Sequence, residues 1–180
     1  MDSETVKILK NDGVGIIPTD TLYGIVGSAL SKKAVKRIYA LKGRDENKPF
    51  IVLISSINDL KKFDVVLTTE QKKFLNAVWP GKVSVVLSVP QKKFEYLHRG
   101  TKSLAFRLPK PEALRAFIKK TGPLVAPSAN PQGETPSATV TEAMDYFCTE
   151  VDFYVPGPKK AGKPSRLISL LGEKPSILRK

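Results

Sequence analysis

A single α/β domain built around one mixed sheet is the fold class that the sequence predicts. Three observations predict it. Short apolar runs such as "FIVLI" (50–54) and "VSVVLSV" (83–89) have the length and β-branched composition of strands. Segments with apolar residues at helical spacing, such as 31–41 and 69–79, lie between them. No repeat, low-complexity tract or linker divides the 180 residues, a length that one domain fills with a real core. The domain is therefore residues 1–180.

Taken in order, residues 14–17 read as a strand that runs into the polar stretch "PTDTLYG" (18–24). Ser31 caps a helix to about Leu41, with Ala34, Val35, Ile38 and Leu41 on one face and Gly43 as its stop. The strand at 50–54 follows, then a helix through "SINDLKKF" (56–63). Thr69 caps the next helix, which Pro80-Gly81 ends. "VSVVLSV" and "SLAFRLP" (103–109) are strands, 112–119 a helix, and "LVAPSAN" (124–130) a brief strand ending in a polar turn. Residues 138–148 are helical with Thr139 or Thr141 as cap, and "DFYVPG", "RLISLL" and "SILR" are closing strands. Strand order is not legible at this level.

Composition narrows the chemistry. Thirty Lys and Arg against 17 Asp and Glu leave a formal charge of +13, which favours anionic partners such as nucleotides, phosphates or RNA. The lysine pairs are dispersed, a diffuse field rather than a nucleic-acid arm. No apolar run approaches the ~20 residues of a membrane span, the N-terminus lacks a signal-peptide core, and Cys148 is the lone cysteine. A cytoplasmic protein without a membrane is the expectation. One Cys and one His do not make a zinc site, so no metal ligands are assigned. Cys148 reads as a core thiol on a helix, and His98 as a surface or loop residue.

Four polar clusters lie at the ends of these elements. In "PTDTLYG", Thr19, Asp20, Thr21 and Tyr23 are either a plain turn or the mouth of a pocket. In "KGRDENKP", Lys42 and Arg44 at i and i+2 suit a clamp on one anion, or else the negative end of a helix dipole. In "PSAN", Ser128 and Asn130 make either a cradle for phosphate or carboxylate oxygens or a self-satisfied turn. In "AGKPSRL", Ser165 sits just before a strand, where α/β folds gather binding groups. "GPKKAGKPS" is not a phosphate-binding Walker loop, because Pro164 stands where Ser or Thr is required.

These clusters occur in a particular order: "PTDTLYG", Lys42-x-Arg44 with "KPF", "WPG" (79–81), "FRLP" (106–109), "PSAN" (127–130) and "PS" (164–165). In that order they resemble the YrdC/TsaC family of threonylcarbamoyl-AMP synthases, in its short single-domain form, from about residue 5 to the C-terminus. The resemblance implies a twisted mixed sheet with flanking helices around a large electropositive cavity. It also implies a reaction: L-threonine, bicarbonate or CO2 and ATP, with Mg2+, give threonylcarbamoyl-AMP and pyrophosphate. That product serves the t6A modification of tRNA, completed by transfer proteins of the same pathway.

By the same resemblance Thr19, Thr21, Tyr23, Arg107, Ser128 and Ser165 hold threonine. Lys42, Arg44, Lys48, Ser103, Asn130, Thr139 and Arg179 surround the nucleotide, with Lys42 and Arg44 as the catalytic cations. The chain departs from the family at Ser165-Arg166 and Ser169, where a Ser-Thr and an Asp are usual. Leu53 replaces a histidine of some members, and "SANPQGETPSAT" is one residue longer than usual. Weak RNA or tRNA binding is a further expected partnership of the enzyme. Two other readings remain open here. One is instead a non-enzymatic basic protein binding RNA or the ribosome. The other is a family paralogue with a different adenylation substrate.

Overall fold

The computed structural model describes residues 1–45, 47–160 and 162–180. Helix α1 (Ser3–Lys10) precedes a hairpin of β1 (Val14–Pro18) and β2 (Tyr23–Ser28), and α2 (Lys32–Lys42) follows. Strand β3 (Ile51–Leu53) leads through a 3-10 helix (Ile57–Phe63) to α3 (Thr69–Val78) and β4 (Val83–Ser88). A 3-10 turn (Lys92–Phe94), the short α4 (Glu95–His98), β5 (Ser103–Arg107) and α5 (Glu112–Thr121) come next. The remaining elements are β6 (Leu124–Val125), α6 (Val140–Phe147), β7 (Phe153–Tyr154), β8 (Arg166–Ser169) and β9 (Ser176–Arg179).

Among the described residues the strands form one sheet in the order β7-β1-β2-β6-β3-β5-β4-β8-β9. Three pairings are parallel (β1 with β7, β3 with β5, β4 with β8) and the others antiparallel, so the sheet is mixed as expected. Alternation along β1 divides the core: Ile16 and Ile17, both fully buried, belong to opposite faces. The Ile17 face packs with Leu9 of α1 and Leu114, Phe117 and Ile118 of α5. The Ile16 face packs with Ala34, Val35 and Ile38 of α2 and Phe147 of α6. Each of these isoleucines contributes about 1.5–3 kcal/mol by leaving water, so losing the alternation at β1 undoes both layers.

Local chemistry explains the boundaries. Ser31 Oγ accepts the Ala34 N–H at 3.1 Å to start α2, and Gly43, left-handed at φ 56°, ends it by donating to Ala40 and Tyr39 carbonyls. The cap of α3 is Thr68, one residue earlier than read from sequence, because Gln71 completes a capping box with it. Thr139, rather than Thr141, caps α6 by accepting the Glu142 N–H at 3.2 Å.

Several expectations are corrected. Residues 14–24 are a strand, a four-residue turn and the start of a second strand, since β2 carries Ile25 and Val26 back along β1 in register. The segment 57–63 is a 3-10 helix, and α1, unread in the sequence, is amphipathic with Asp2 accepting the Thr5 N–H at 2.9 Å. Cys148 is exposed, at the C-cap of α6 with φ 41°. Ala143 and Phe147, four apart, take the inward positions, and the next residue turns outward. His98 is buried instead, with Nδ1 accepting the Gly100 N–H at 3.2 Å.

Candidate functional site

The β1–β2 turn is built to be rigid. Pro18 pairs with Tyr23 at the base of the hairpin, leaving residues 19–22 to reverse the chain. Thr19 Oγ1 donates to the Leu22 carbonyl at 2.6 Å and accepts the N–H groups of Thr21 and Leu22 at 3.2 and 3.3 Å. One hydroxyl thus closes the turn from inside. Tyr23 points across the hairpin and donates to the Gly157 carbonyl at 2.8 Å; burial raises its phenol above the usual value.

This turn is one wall of a cavity of about 280 Å3. Its floor is the sheet face that α1 and α5 cover elsewhere, since Ile51, Leu53 and Ala126 belong both to that core and to the cavity lining. Arg44 enters from beyond α2, Ala105 and Arg107 from β5, Ser128 from the loop after β6, Ser165 from just before β8 and Arg179 from β9. Three arginines and no acidic residue are among the described residues of the lining.

Each arginine is held by a different contact. Arg44 lies 5.2 Å from the Phe50 ring centroid and its Nε donates to the Lys48 carbonyl at 3.1 Å. Arg179 donates through Nε and Nη2 to the Ser165 carbonyl, at 3.1 and 2.8 Å. Arg107 forms a buried ion pair with Asp20, and its Nη1 lies 3.4 Å from Thr21 Oγ1. Burial lowers the Arg107 value and Asp20 opposes that; the nearby Arg179 charge lowers it further.

Lys42 does not enter the lining. Its ammonium is buried behind the loop after β6, donating to the carbonyls of Ser128, at 2.6 Å, and Asn130. Burial, and then the Arg44 charge, lower its pKa to about 7. The amide nitrogen of Asn130 is committed to the Pro131 and Glu134 carbonyls at 2.8 and 2.7 Å, while its buried Oδ1 has no partner. Ser165 Oγ is 2.8 Å from Ser84 Oγ, a fully buried hydroxyl on β4.

Of the residues singled out in the sequence, Thr19, Thr21, Tyr23, Arg44, Arg107, Ser128, Ser165 and Arg179 share this one cavity. Lys42 and Asn130 stand behind it, joined to each other. Lys48 pairs with Asp45 at 3.6 Å, Ser103 contacts Thr101 Oγ1 at 3.4 Å, and Thr139 caps α6; none of these three lines the cavity. Ser84 was missed, because a serine inside an apolar strand gives no local signal; only the strand β8 laid beside it supplies its partner.

The family model Sua5/YciO/YrdC, described as telomere recombination, matches residues 7–180. A protein named threonylcarbamoyl-AMP synthase from Bacillus subtilis (strain 168) is 31% identical over 181 residues, covering 98% of this chain and 52% of its own length. One of the same name from Halorhodospira halophila is 32% identical over 150 residues, 83% of this chain and 78% of that one. The crystal structure of P. abyssi Sua5 complexed with L-threonine superimposes with a TM-score of 0.89 at 27% identity, over 98% of this chain and 52% of that one. E. coli YciO, at 22% identity and a TM-score of 0.86, shares the fold over 98% of this chain and 87% of its own. The chain thus spans about half the length of the Bacillus and Pyrococcus relatives. Among its described residues no helix is long and apolar enough to cross a membrane.

Proposed function

The chain belongs to the Sua5/YciO/YrdC family, and on that premise we propose that it makes L-threonylcarbamoyl-AMP from L-threonine, bicarbonate or CO2 and ATP. Pyrophosphate is the second product, and tRNA t6A modification, through partner transfer proteins, the use. The observation that carries this reading is the single cavity into which separate segments deliver Thr19, Thr21, Arg44, Arg107, Ser128, Ser165 and Arg179. The threonine complex of the similar P. abyssi protein supports the amino-acid half of it.

The chemistry explains why the lining is cationic. The threonine amine adds to CO2, loses a proton and becomes a carbamate. A carbamate oxygen then attacks the α-phosphorus of ATP, the bond from that phosphorus to the bridging oxygen breaks, and pyrophosphate departs. An anion must therefore approach a polyanion, and fixed guanidinium groups offset the repulsion. Arg44 faces the phosphates, on the Phe50 side. Arg107 takes the threonine carboxylate, and the Thr19–Thr21 turn and Ser165 enclose the amino acid. Lys42 acts as a positioning residue, fastening the loop that presents Ser128. Mg2+ comes as part of the MgATP substrate, carried by phosphate oxygens; the described lining adds hydroxyls but no carboxylate.

The test is incubation with MgATP, bicarbonate and L-threonine, with mass detection of the adenylate and measurement of pyrophosphate. Threonine-dependent product is expected from the wild type, and a loss of about 100-fold from Arg44→Ala with the fold retained. Product with another amino acid but none with threonine overturns the threonine assignment in favour of another adenylation substrate.

A further inference from the structure

We propose that Asp20 is a positioning residue of the cavity, holding the Arg107 guanidinium in the direction from which it meets the substrate carboxylate. The proposal rests on the threonine reading above and adds to it a residue that itself does not line the cavity.

Three observations carry it. Thr19, Thr21 and Leu22 of the β1–β2 turn line the cavity, but Asp20 between them is aimed at Arg107 Nη2 instead. The two side chains of the pair are only 4% and 5% exposed, so water does not substitute for either charge. Thr21 approaches Arg107 Nη1, so consecutive residues of one rigid turn grip the two terminal nitrogens of one guanidinium. The contact is single-pronged. Asp20 Oδ2 and Arg107 Nε are both buried without a hydrogen-bond partner, which a two-pronged Arg–carboxylate fork does not leave. Direction is therefore set by Asp20 at Nη2 and Thr21 at Nη1 together, one contact at each terminal nitrogen.

Asp20 also answers an electrostatic problem. Arg179 is close enough to Arg107 for its charge to weigh on it. Two cations on one cavity wall spread apart unless a counter-charge holds one of them. Removing Asp20 has opposing effects: it frees one Arg107 donor for a ligand, and it strands a buried cation. The second dominates, because unpairing a buried charge costs far more than one extra hydrogen bond returns. The guanidinium then turns away, and carboxylate binding weakens.

The experiment compares wild type, Asp20→Asn and Asp20→Glu by calorimetric titration with L-threonine and by steady-state kinetics. Asp20→Asn is expected to weaken threonine binding and raise its KM about tenfold or more, with the KM for ATP changed by less than about twofold. Asp20→Glu keeps the charge but displaces it by one methylene, giving a rise of about threefold. Unchanged or tighter threonine binding in Asp20→Asn, or equal rises in both KM values, overturns the proposal. If Asp20→Asn fails to fold, Asp20→Glu decides alone, and unchanged threonine affinity in it is the overturning result. Absence of threonine binding by the wild type overturns the functional reading itself, and this inference with it. Wild-type binding with an unaffected Asp20→Asn overturns the inference only.

Discussion

Lys42 Nζ and the carbonyl oxygen of Ser128 lie 2.6 Å apart, across 86 residues of sequence, and the same ammonium also reaches the Asn130 carbonyl. A lysine at the last turn of α2 thereby ties down the loop after β6, whose next face is the cavity wall. The side chain is 3% exposed as a residue, so its charge is held against desolvation by those carbonyls.

The first prediction follows from that burial. Lys42 titrates near 7 in the folded protein, lowered from 10.5 by burial and by Arg44. Between these values the unfolded chain binds the proton and the folded one does not, so stability rises with pH through the window and is lost as pH falls to 7. One proton corresponds to a slope of at most about 1.4 kcal/mol per pH unit. Denaturant melts of wild type and Lys42→Met between pH 7.5 and 9.5 are expected to differ by a positive slope that the variant lacks.

Arg107→Lys exchanges a planar fork for a point charge at a site where two nitrogens are already used, by Asp20 and Thr21. Threonine affinity is expected to fall at least about tenfold, while ATP affinity changes by less than about twofold. Separate titrations with each substrate measure this; equal losses count against a carboxylate contact.

Ser84→Ala removes the hydroxyl that meets Ser165 at 2.8 Å inside the sheet. The expected cost is about 1 kcal/mol of stability. Ser165 also becomes free to rotate, so the KM for threonine rises more than that for ATP. Chemical denaturation and steady-state kinetics read the two effects independently.

Gly162→Ala tests how closely the segment before β8 crosses the β1–β2 turn. An added Cβ at Gly162 meets the Thr21 carbonyl oxygen at 2.4 Å, a contact that backbone must relieve. Moving either segment displaces Ser165 or Thr21, both in the cavity lining. A fall of about tenfold or more in kcat/KM for threonine is expected, with little change in melting temperature because the neighbouring Lys163 and Pro164 are exposed. Unaltered kinetics indicate that the crossing is not needed for the site.

Much of the architecture is legible in the sequence. The strands at 83–88, 103–107 and 166–169 and the helices at 32–42 and 112–121 carry their own periodicity, and Ser31 and Gly43 bound the first of these helices; those are local properties. The polar clusters that end them were legible for the same reason. The sequence places Cys148 inward and His98 outward, and the fold reverses both, since which side of a helix end is inward depends on what packs there: Phe147 in one case, the turn from Gln91 in the other.

Sequence alone determined that this is one α/β domain with basic and hydroxyl side chains concentrated at element ends. It also determined the order of motifs that relates the chain to its family. Tertiary structure alone decided which of those side chains share a cavity. It sent Arg44, Arg107 and Arg179 into one cavity, Lys42 behind it and Thr139 to a helix cap. It also brought Asp20 to Arg107 and Ser84 to Ser165, across 87 and 81 residues. The physical reason is that caps and periodicity act over a few neighbouring residues. Charge pairing and burial act through space, and only strand pairing across the sheet sets those distances.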